Sequence, residues 1–486
     1  MPPLGNGINR TPKVLKSKME IIEKFKKAGQ SQVFDFFEDL NDAQKKSLLD
    51  DCAQIDLNEF EGLCKMLNGA QPKSAIDYNK LQAAPFIANP ENGGNMALWE
   101  DAAKTGASAI LRGELACFVV AGGQGTRLGY NGPKGTYKAT PIMHKSLFQV
   151  FAEKILRASQ KYGVKIPWLI MTSHINDAAT RAHFEENNFF GLDKNDVIFF
   201  KQGRMPAATP DGKIIMEDKG KIALSPDGHG GSLRAIVKSG ALDELKKRGV
   251  KYLSYFQVDN PIVNIVDEAF LGFHIKGASD MSSKMIPKAY PLEKVGHFCM
   301  YEGRLNVVEY SDLPESMQQL RNADGSLKFV AGSVAIHVIS LDFVEKCGKN
   351  STLPFHIAHK KIPYIDKNGQ KIKPESPNGY KFEMFVFDAL PMANNPVIIE
   401  GVRREEFSPI KNAEGKDSPL TSKKDQEKQF AYWLKQVGVN VAVDADGVPL
   451  HDLEISPLFA CNFADFKSQW AKLKPSVDFS KPQYLQ

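Results

Sequence analysis

Residues 115–134 read LACFVVAGGQGTRLGYNGPK, and no other stretch constrains the chain as strongly. Its first six residues form an apolar run long enough for a buried strand. The run feeds into a turn in which Gly122, Gly123 and Gly125 carry no Cβ, so backbone N–H groups are free to close on a phosphate. A helix N-terminus after the turn would add its dipole. Arg127 offers a planar fork for phosphate oxygens, and Lys134, behind Pro133, supplies a point charge.

Two familiar glycine loops fail on spacing. A dinucleotide fingerprint needs a glycine where Leu128 stands, and a kinase-type loop needs Gly-Lys-Ser/Thr where the chain has Pro133-Lys134. Strand and helix candidates alternate after the loop: a helix over 145–162, a strand over 168–171, a helix over 177–187, a strand over 197–200, a helix from about Ser232 and a strand over 252–258. This alternation predicts an α/β fold with a central Rossmann-like, mainly parallel sheet flanked by helices. Ligands in such sheets sit outside the carboxyl ends of strands, which puts Gly122 to Arg127, Gln202 and Asp259 at one rim.

Asp259 ends its strand in a carboxylate at that rim, a position suited to Mg²⁺ shared with substrate phosphates. The competing reading is a plain strand or helix cap.

Three regions follow from periodicity. Residues 1–105 form a helical N-terminal region, with helix expected over 14–67 and Asn41 as a helix cap. Residues 69–94, rich in Pro, Asn and Gly, read as a connector. The central domain is assigned to 106–405, its later β-rich segments at 284–288, 295–301 and 329–338 extending the sheet. Residues 406–486 form a small C-terminal α+β region with a helix near 426–437 and a strand at 439–443.

At 486 residues the chain exceeds one ordinary core. Its net charge of +5 comes without a Lys/Arg block, so no nucleic-acid partner is expected. No window approaches the apolar length of a membrane span, and the N-terminus lacks the apolar core of a signal peptide. Six widely spaced cysteines contain no Cys-x-x-Cys pair. The expectation is a cytoplasmic protein without a membrane partner. Amphipathic helices at the C-terminus suit packing on the same chain or a subunit contact, so oligomeric state stays open.

The loop is followed in order by FFGL at 189–192, VIFFKQG at 197–203, SPDGHGG at 225–231, VDN at 258–260, PLEKVG at 291–296, VVEYS at 307–311, KKIPYID at 360–366, KFEMFVFD at 381–388 and FSPIKNA at 407–413. In these motifs and their order the chain resembles the eukaryotic-type UDP-N-acetylglucosamine pyrophosphorylases, among the uridylyltransferases acting on sugar 1-phosphates. The resemblance implies UTP and N-acetylglucosamine 1-phosphate as substrates, UDP-N-acetylglucosamine and diphosphate as products, and Mg²⁺, with Mn²⁺ as a substitute, at Asp259. It implies Arg127, Lys134 and Lys411 as the phosphate cations. It places Ala121, Gly122, Gly123, Gln202 and Gly228 with the nucleotide, and His229, Gly296, Glu309, Ser333, Phe385 and Phe387 with the sugar, the two phenylalanines at alternate strand positions.

Two positions depart from the family pattern. His229 stands where an asparagine is common and resembles the UDP-glucose enzymes, and Ser333 replaces another common asparagine. A UDP-glucose or broad UDP-sugar pyrophosphorylase is therefore the alternative substrate reading, and a non-catalytic UDP-sugar sensor the alternative of another class.

Overall fold

The computed structural model describes residues 11–68, 76–350, 353–473 and 477–486. The chain gathers into two compact units. The first comprises Met1–Ala75, Gly203–Gly231 and Pro354–Phe385, and the second Ile76–Gln202, Ser232–Leu353 and Val386–Gln486. Divisions after 105 and 405 follow composition along the chain, whereas these units each collect three separated stretches.

In the first unit, helices Thr11–Lys27, Asp42–Gln54 and Leu57–Asn68 occupy the expected helical stretch. Asn41 caps the second of them through a reciprocal pair with Gln44, as its position predicts. Residues 28–41 interrupt the helices with two 3₁₀ turns. The apolar stripe of these helices, including Phe25, Leu48 and Phe60, shares one core with Met205, Ile214 and Phe382 from the two later stretches. That shared burial explains why the insertions at 203–231 and 354–385 leave the central sheet.

The second unit is built on a ten-stranded sheet. Strands Leu115–Val120, Trp168–Thr172 and Val197–Lys201 run parallel in that order, and Tyr252–Gln257 lies parallel to Leu115–Val120 on its other side. Leu115 to Val119 and all of Trp168–Thr172 are buried, as helix-covered parallel strands require. Beyond Tyr252–Gln257 the sheet turns antiparallel through Ala331–Ser340, which pairs with Met281–Pro287 and Gly296–Tyr301. The sheet thus has a parallel half and the expected β-rich extension.

Strand order reverses between Leu115–Val120 and Tyr252–Gln257, where Val120 faces Gln257 across the ladder. In open α/β sheets such a reversal leaves a crevice at the carboxyl ends. Helix Leu147–Tyr162 covers one face, capped by Ser146, which accepts from Gln149 N, and burying Leu147, Phe148, Phe151 and Ile155.

Four expectations need correction or limits. No α-helix follows the glycine turn; a single 3₁₀ turn, Thr126–Leu128, stands there and ends at Gly129 (φ 68°). The described part of the 69–94 connector carries the edge strand Gln82–Ala83 paired to Gly296–Tyr301, while residues 69–75 lie outside the described residues. Residues 439–443 form no strand and make only the bridge Val443 to Pro449. The preceding helix, Pro419–Gln436, closes with Val439 N donating to Leu434 O and Gly438 at φ 83°, which turns the chain aside. Phe385 and Phe387 are not alternate residues of a strand either: the strand is Gly379–Glu383, and Phe387 sits in the 3₁₀ segment Val386–Met392.

Candidate active site

Gln202 and Gly122 are brought into contact at the ends of Val197–Lys201 and Leu115–Val120. A Cβ on Gly122 would run into the Gln202 carboxamide oxygen, so only glycine leaves that amide in place. Gln202 N donates to Thr172 O at 2.9 Å, fixing the backbone. Its side chain is buried and makes no hydrogen bond among the described residues. An amide held without a partner beside open backbone presents one donor and one acceptor to a planar ring edge.

The glycine loop is braced by a residue that the sequence did not single out. Asn176 is fully buried; its Nδ2 donates to Ala121 O at 2.9 Å and Gly123 O at 3.2 Å, and its Oδ1 accepts from Ser173 N at 2.8 Å. The only signal in the sequence was the polar segment TSHIND at a strand's carboxyl end, which does not reveal the partners. Gly125 N donates to Gly132 O and Lys134 N to Gly123 O, so the loop doubles back and returns Lys134 to its base.

Lys134 Nζ stands 3.3 Å from Asp259 Oδ2, each side chain less than one-fifth exposed. Asp259 O accepts from Ile410 N at 2.8 Å, and Asn260 holds the same segment by donating to Glu406 O and accepting from Ser408 N. Lys411 is therefore carried beside the strand end that bears Asp259. Its own N donates to Asp417 O at 2.7 Å, and its Nζ lies 5.6 Å from the Phe407 ring centre. Burial pushes the Asp417 carboxyl up despite the nearby Lys411 cation, with Asp259 and Glu293 adding to the rise. Arg127 is exposed and makes no hydrogen bond or ion pair among the described residues.

On the antiparallel half, Gly296 pairs with Ser333 across the ladder. A Cβ on Gly296 would lie 3.4 Å from Glu309 Oε1 and 3.6 Å from Ser333 Cβ, so these three form one cluster. The adjacent His297 is fully buried with its Nε2 2.7 Å from Lys288 Nζ; burial, then the lysine charge, holds its ring at about 4 and therefore neutral. Phe387 is buried in the same unit.

The other residues that the sequence resemblance assigns to substrate, Gly228, His229 and Phe385, lie within the first unit. Gly228 adopts φ 82°, a backbone conformation that favours glycine, and Gly230 N donates to Met384 O at 2.8 Å. The His229 ring stacks on Phe385 at 5.3 Å and 20°, and His356 approaches the same phenylalanine at 4.3 Å. Burial, helped by His356, lowers His229 to about 4, so it is a neutral donor or acceptor near neutral pH.

Among the described residues no group of three or more His, Cys, Asp or Glu side chains is gathered as a metal centre. All six cysteines are free thiols. No helix among the described residues is long and apolar enough to cross a membrane.

A parallel-strand reversal topped by a glycine loop, a returning lysine and a strand-end carboxylate places the chain in the nucleotidyltransferase class of α/β proteins. Residues 57–421 match the family described as UTP--glucose-1-phosphate uridylyltransferase, and the chain belongs to that family. It is 37% identical over 443 residues to UDP-N-acetylhexosamine pyrophosphorylase-like protein 1 of Xenopus tropicalis, covering 87% of this chain and 86% of that one. It is 36% identical to the UDP-N-acetylglucosamine pyrophosphorylase of Saccharomyces cerevisiae over 449 residues, 87% of this chain and 92% of the other. The solved uridine diphosphate N-acetylglucosamine pyrophosphorylase of Trypanosoma brucei, in complex with an inhibitor, superposes with a TM-score of 0.82 at 25% identity, covering 100% of this chain and 99% of that one.

Proposed function

We propose that this protein condenses UTP with N-acetylglucosamine 1-phosphate, releasing UDP-N-acetylglucosamine and diphosphate. The observation that carries this reading is the Lys134–Asp259 pair at the mouth of the glycine loop, joined by the Lys411 segment. A sugar phosphate is anionic at neutral pH, so its oxygen attacks the α-phosphorus of UTP without a general base. The new P–O bond forms as the bond to the diphosphate oxygen breaks, and diphosphate leaves with the electron pair. The protein's task is to hold two anions in line and offset their charge.

Lys134 and Lys411, with the exposed guanidinium of Arg127, take the phosphate oxygens, and the glycine-loop N–H groups complete the cradle. The Gln202 amide and the Ala121 to Gly123 backbone hold uracil, with Gly228 on the nucleotide side. Glu309 accepts from sugar hydroxyls beside Ser333 and Gly296. His229, Phe385 and Phe387 are assigned to the sugar as neutral and aromatic surface. Asp259 suits Mg²⁺, or Mn²⁺ in its place, because its donor set is one carboxylate that substrate phosphates would complete. When bound, the ion neutralises phosphate charge; without it Asp259 is neutralised by Lys134.

Six free thiols fit a reducing compartment, and we place the protein in the cytoplasm. His229 and Ser333 favour glucose 1-phosphate as the rival substrate. Diphosphate release is measured with UTP and Mg²⁺, offering N-acetylglucosamine 1-phosphate, N-acetylgalactosamine 1-phosphate and glucose 1-phosphate in parallel. A higher kcat/KM for the N-acetylglucosamine substrate is expected. Preference for glucose overturns the sugar assignment, and binding without release favours a sensor.

A further inference from the structure

The second unit contains a further cavity of about 490 Å³, and none of its lining residues belongs to the glycine loop, Gln202, Asp259 or Lys411. Helices Met96–Leu111, Glu268–Lys276, Pro419–Gln436 and Phe463–Leu473 contribute to its walls. Its size lies within the range of small-molecule sites. Trp99, Phe430, Trp433 and Phe463 supply aromatic surface.

Its charge is strongly one-sided. Eight carboxylate side chains and two lysines line it, with no arginine or histidine. Both lysines are already engaged in the wall. Lys154 Nζ donates at 2.8 Å to Pro261 O and Val263 O, and Lys284 Nζ lies between Asp267 and Glu406 at 2.7 and 2.6 Å. Lys284 is 1% exposed and Lys154 7%, whereas the Glu405 side chain keeps 20% exposure and that of Glu268 17%. Glu268 is paired with Lys161 and Glu91 with Arg404, both cations lying outside the lining, and Arg404 stands 3.5 Å from Glu405; the lining itself remains acidic and aromatic, with both of its lysines tied into the wall. Aromatic faces and carboxylates together select a positive charge attached to an apolar body.

We propose that this cavity binds a small organic ammonium ion carrying an apolar or aromatic body. Glu405 is the anchoring carboxylate. Burial, only partly offset by Trp433, Gln429 and Arg404, raises it to about 7, a cost that a ligand ammonium relieves.

The cavity also touches the supports of the phosphate site. Lys154 ties down Pro261 and Val263 just beyond Asp259, and Glu406 accepts from Asn264 N while its carbonyl holds Asn260. An occupant pressing on Glu405 and Glu406 acts at the root of both the Asp259 loop and the Lys411 segment, which makes it an effector. This coupling rests on the phosphate-site reading above, whereas binding itself does not.

Calorimetric titration of the full chain with phenethylamine and cyclohexylmethylamine, against 3-phenylpropionate and cyclohexylacetate as acids of similar size, tests the site. The amines are expected to bind and the acids not. Ala103→Trp, which fills the cavity from its helical wall, should abolish amine binding. The isosteric Glu405→Gln should weaken it at least about tenfold. Absence of amine binding, equal binding of amines and acids, or amine binding undiminished in both variants overturns the site. A saturating amine should shift KM for UTP at least about fivefold, the lower range of allosteric couplings. Binding with unchanged KM removes the coupling and keeps the site, whereas failure of the enzymatic reading shows as no turnover even without amine.

Discussion

Lys134 Nζ lies 3.3 Å from Asp259 Oδ2 although 125 residues separate them in the chain. One arrives by a loop that doubles back to the end of Leu115–Val120, the other closes the neighbouring parallel strand Tyr252–Gln257. The pair spans the crevice at the strand reversal, and each group offsets the charge of the other.

On the proposed reaction, Lys134→Ala removes a cation that offsets the charge developing on the leaving diphosphate. Turnover should fall by about 10² to 10³-fold, the usual effect of deleting one such donor. UDP-sugar affinity should change much less. Steady-state kinetics and product titration separate the two effects, and an unchanged kcat takes the lysine out of the mechanism.

Gly122→Ala places a methyl group against the Gln202 amide oxygen. Since the obstructed group is the end of a flexible side chain, the fold should survive with Gln202 displaced. Affinity for uridine nucleotides should drop about tenfold or more while the unfolding midpoint moves little. Normal UTP affinity would show that this amide does not read the base.

Asn176→Ala leaves Ala121 O, Gly123 O and Ser173 N without their buried partner. A stability loss of about 1–3 kcal/mol is expected. The loop should also lose its geometry, lowering kcat/KM with UTP. Denaturant unfolding reads the first effect and kinetics the second; full activity in a destabilised variant would confine Asn176 to a structural role.

Glu427 is buried in helix Pro419–Gln436 and held up at about 7 from 4.5, by burial first, with Lys423 only partly opposing the rise. Because the folded value is the higher one, this group's stabilisation is complete below about 4.5 and is lost as pH rises through 7. Glu427→Gln should therefore be more stable than the parent at pH 8, the difference shrinking toward pH 4. Thermal unfolding across that range checks it, and a pH-independent difference refutes it.

His229→Asn with Ser333→Asn introduces an amide at each of the two positions where the chain departs from the N-acetylglucosamine pattern it resembles. If both sites touch the sugar, the ratio of kcat/KM for N-acetylglucosamine 1-phosphate over glucose 1-phosphate should rise by roughly tenfold. An unchanged ratio places selectivity elsewhere.

The strands and helices around the rim were legible because their signals are local. Ser146 before a stripe of Leu147, Phe148 and Phe151, and an apolar run ending in glycines, each specify their element within a few residues. The mistaken elements show where local signals stop. Val439 to Val443 has strand composition, yet a helix end at Gly438 and burial against the C-terminal core decide its path. The glycine turn suggested a helix dipole, but Gly129 and the Gly125–Gly132 hydrogen bond close it as a 3₁₀ turn.

By itself the sequence determined the α/β alternation, the glycine-rich loop at a strand end and its family, and it named nearly every group proposed to meet the substrates. Tertiary structure decided what those groups touch. It set Gln202 over Gly122, braced the loop with Asn176, and brought the Lys411 segment to Asp259 through Ile410 and Asn260. It also divided the chain into units assembled from distant stretches and opened an acidic cavity walled by six α-helices. The physical reason is range: propensity and capping act over a turn or a few residues, whereas partners dozens to hundreds of residues apart meet only once whole faces have been buried together.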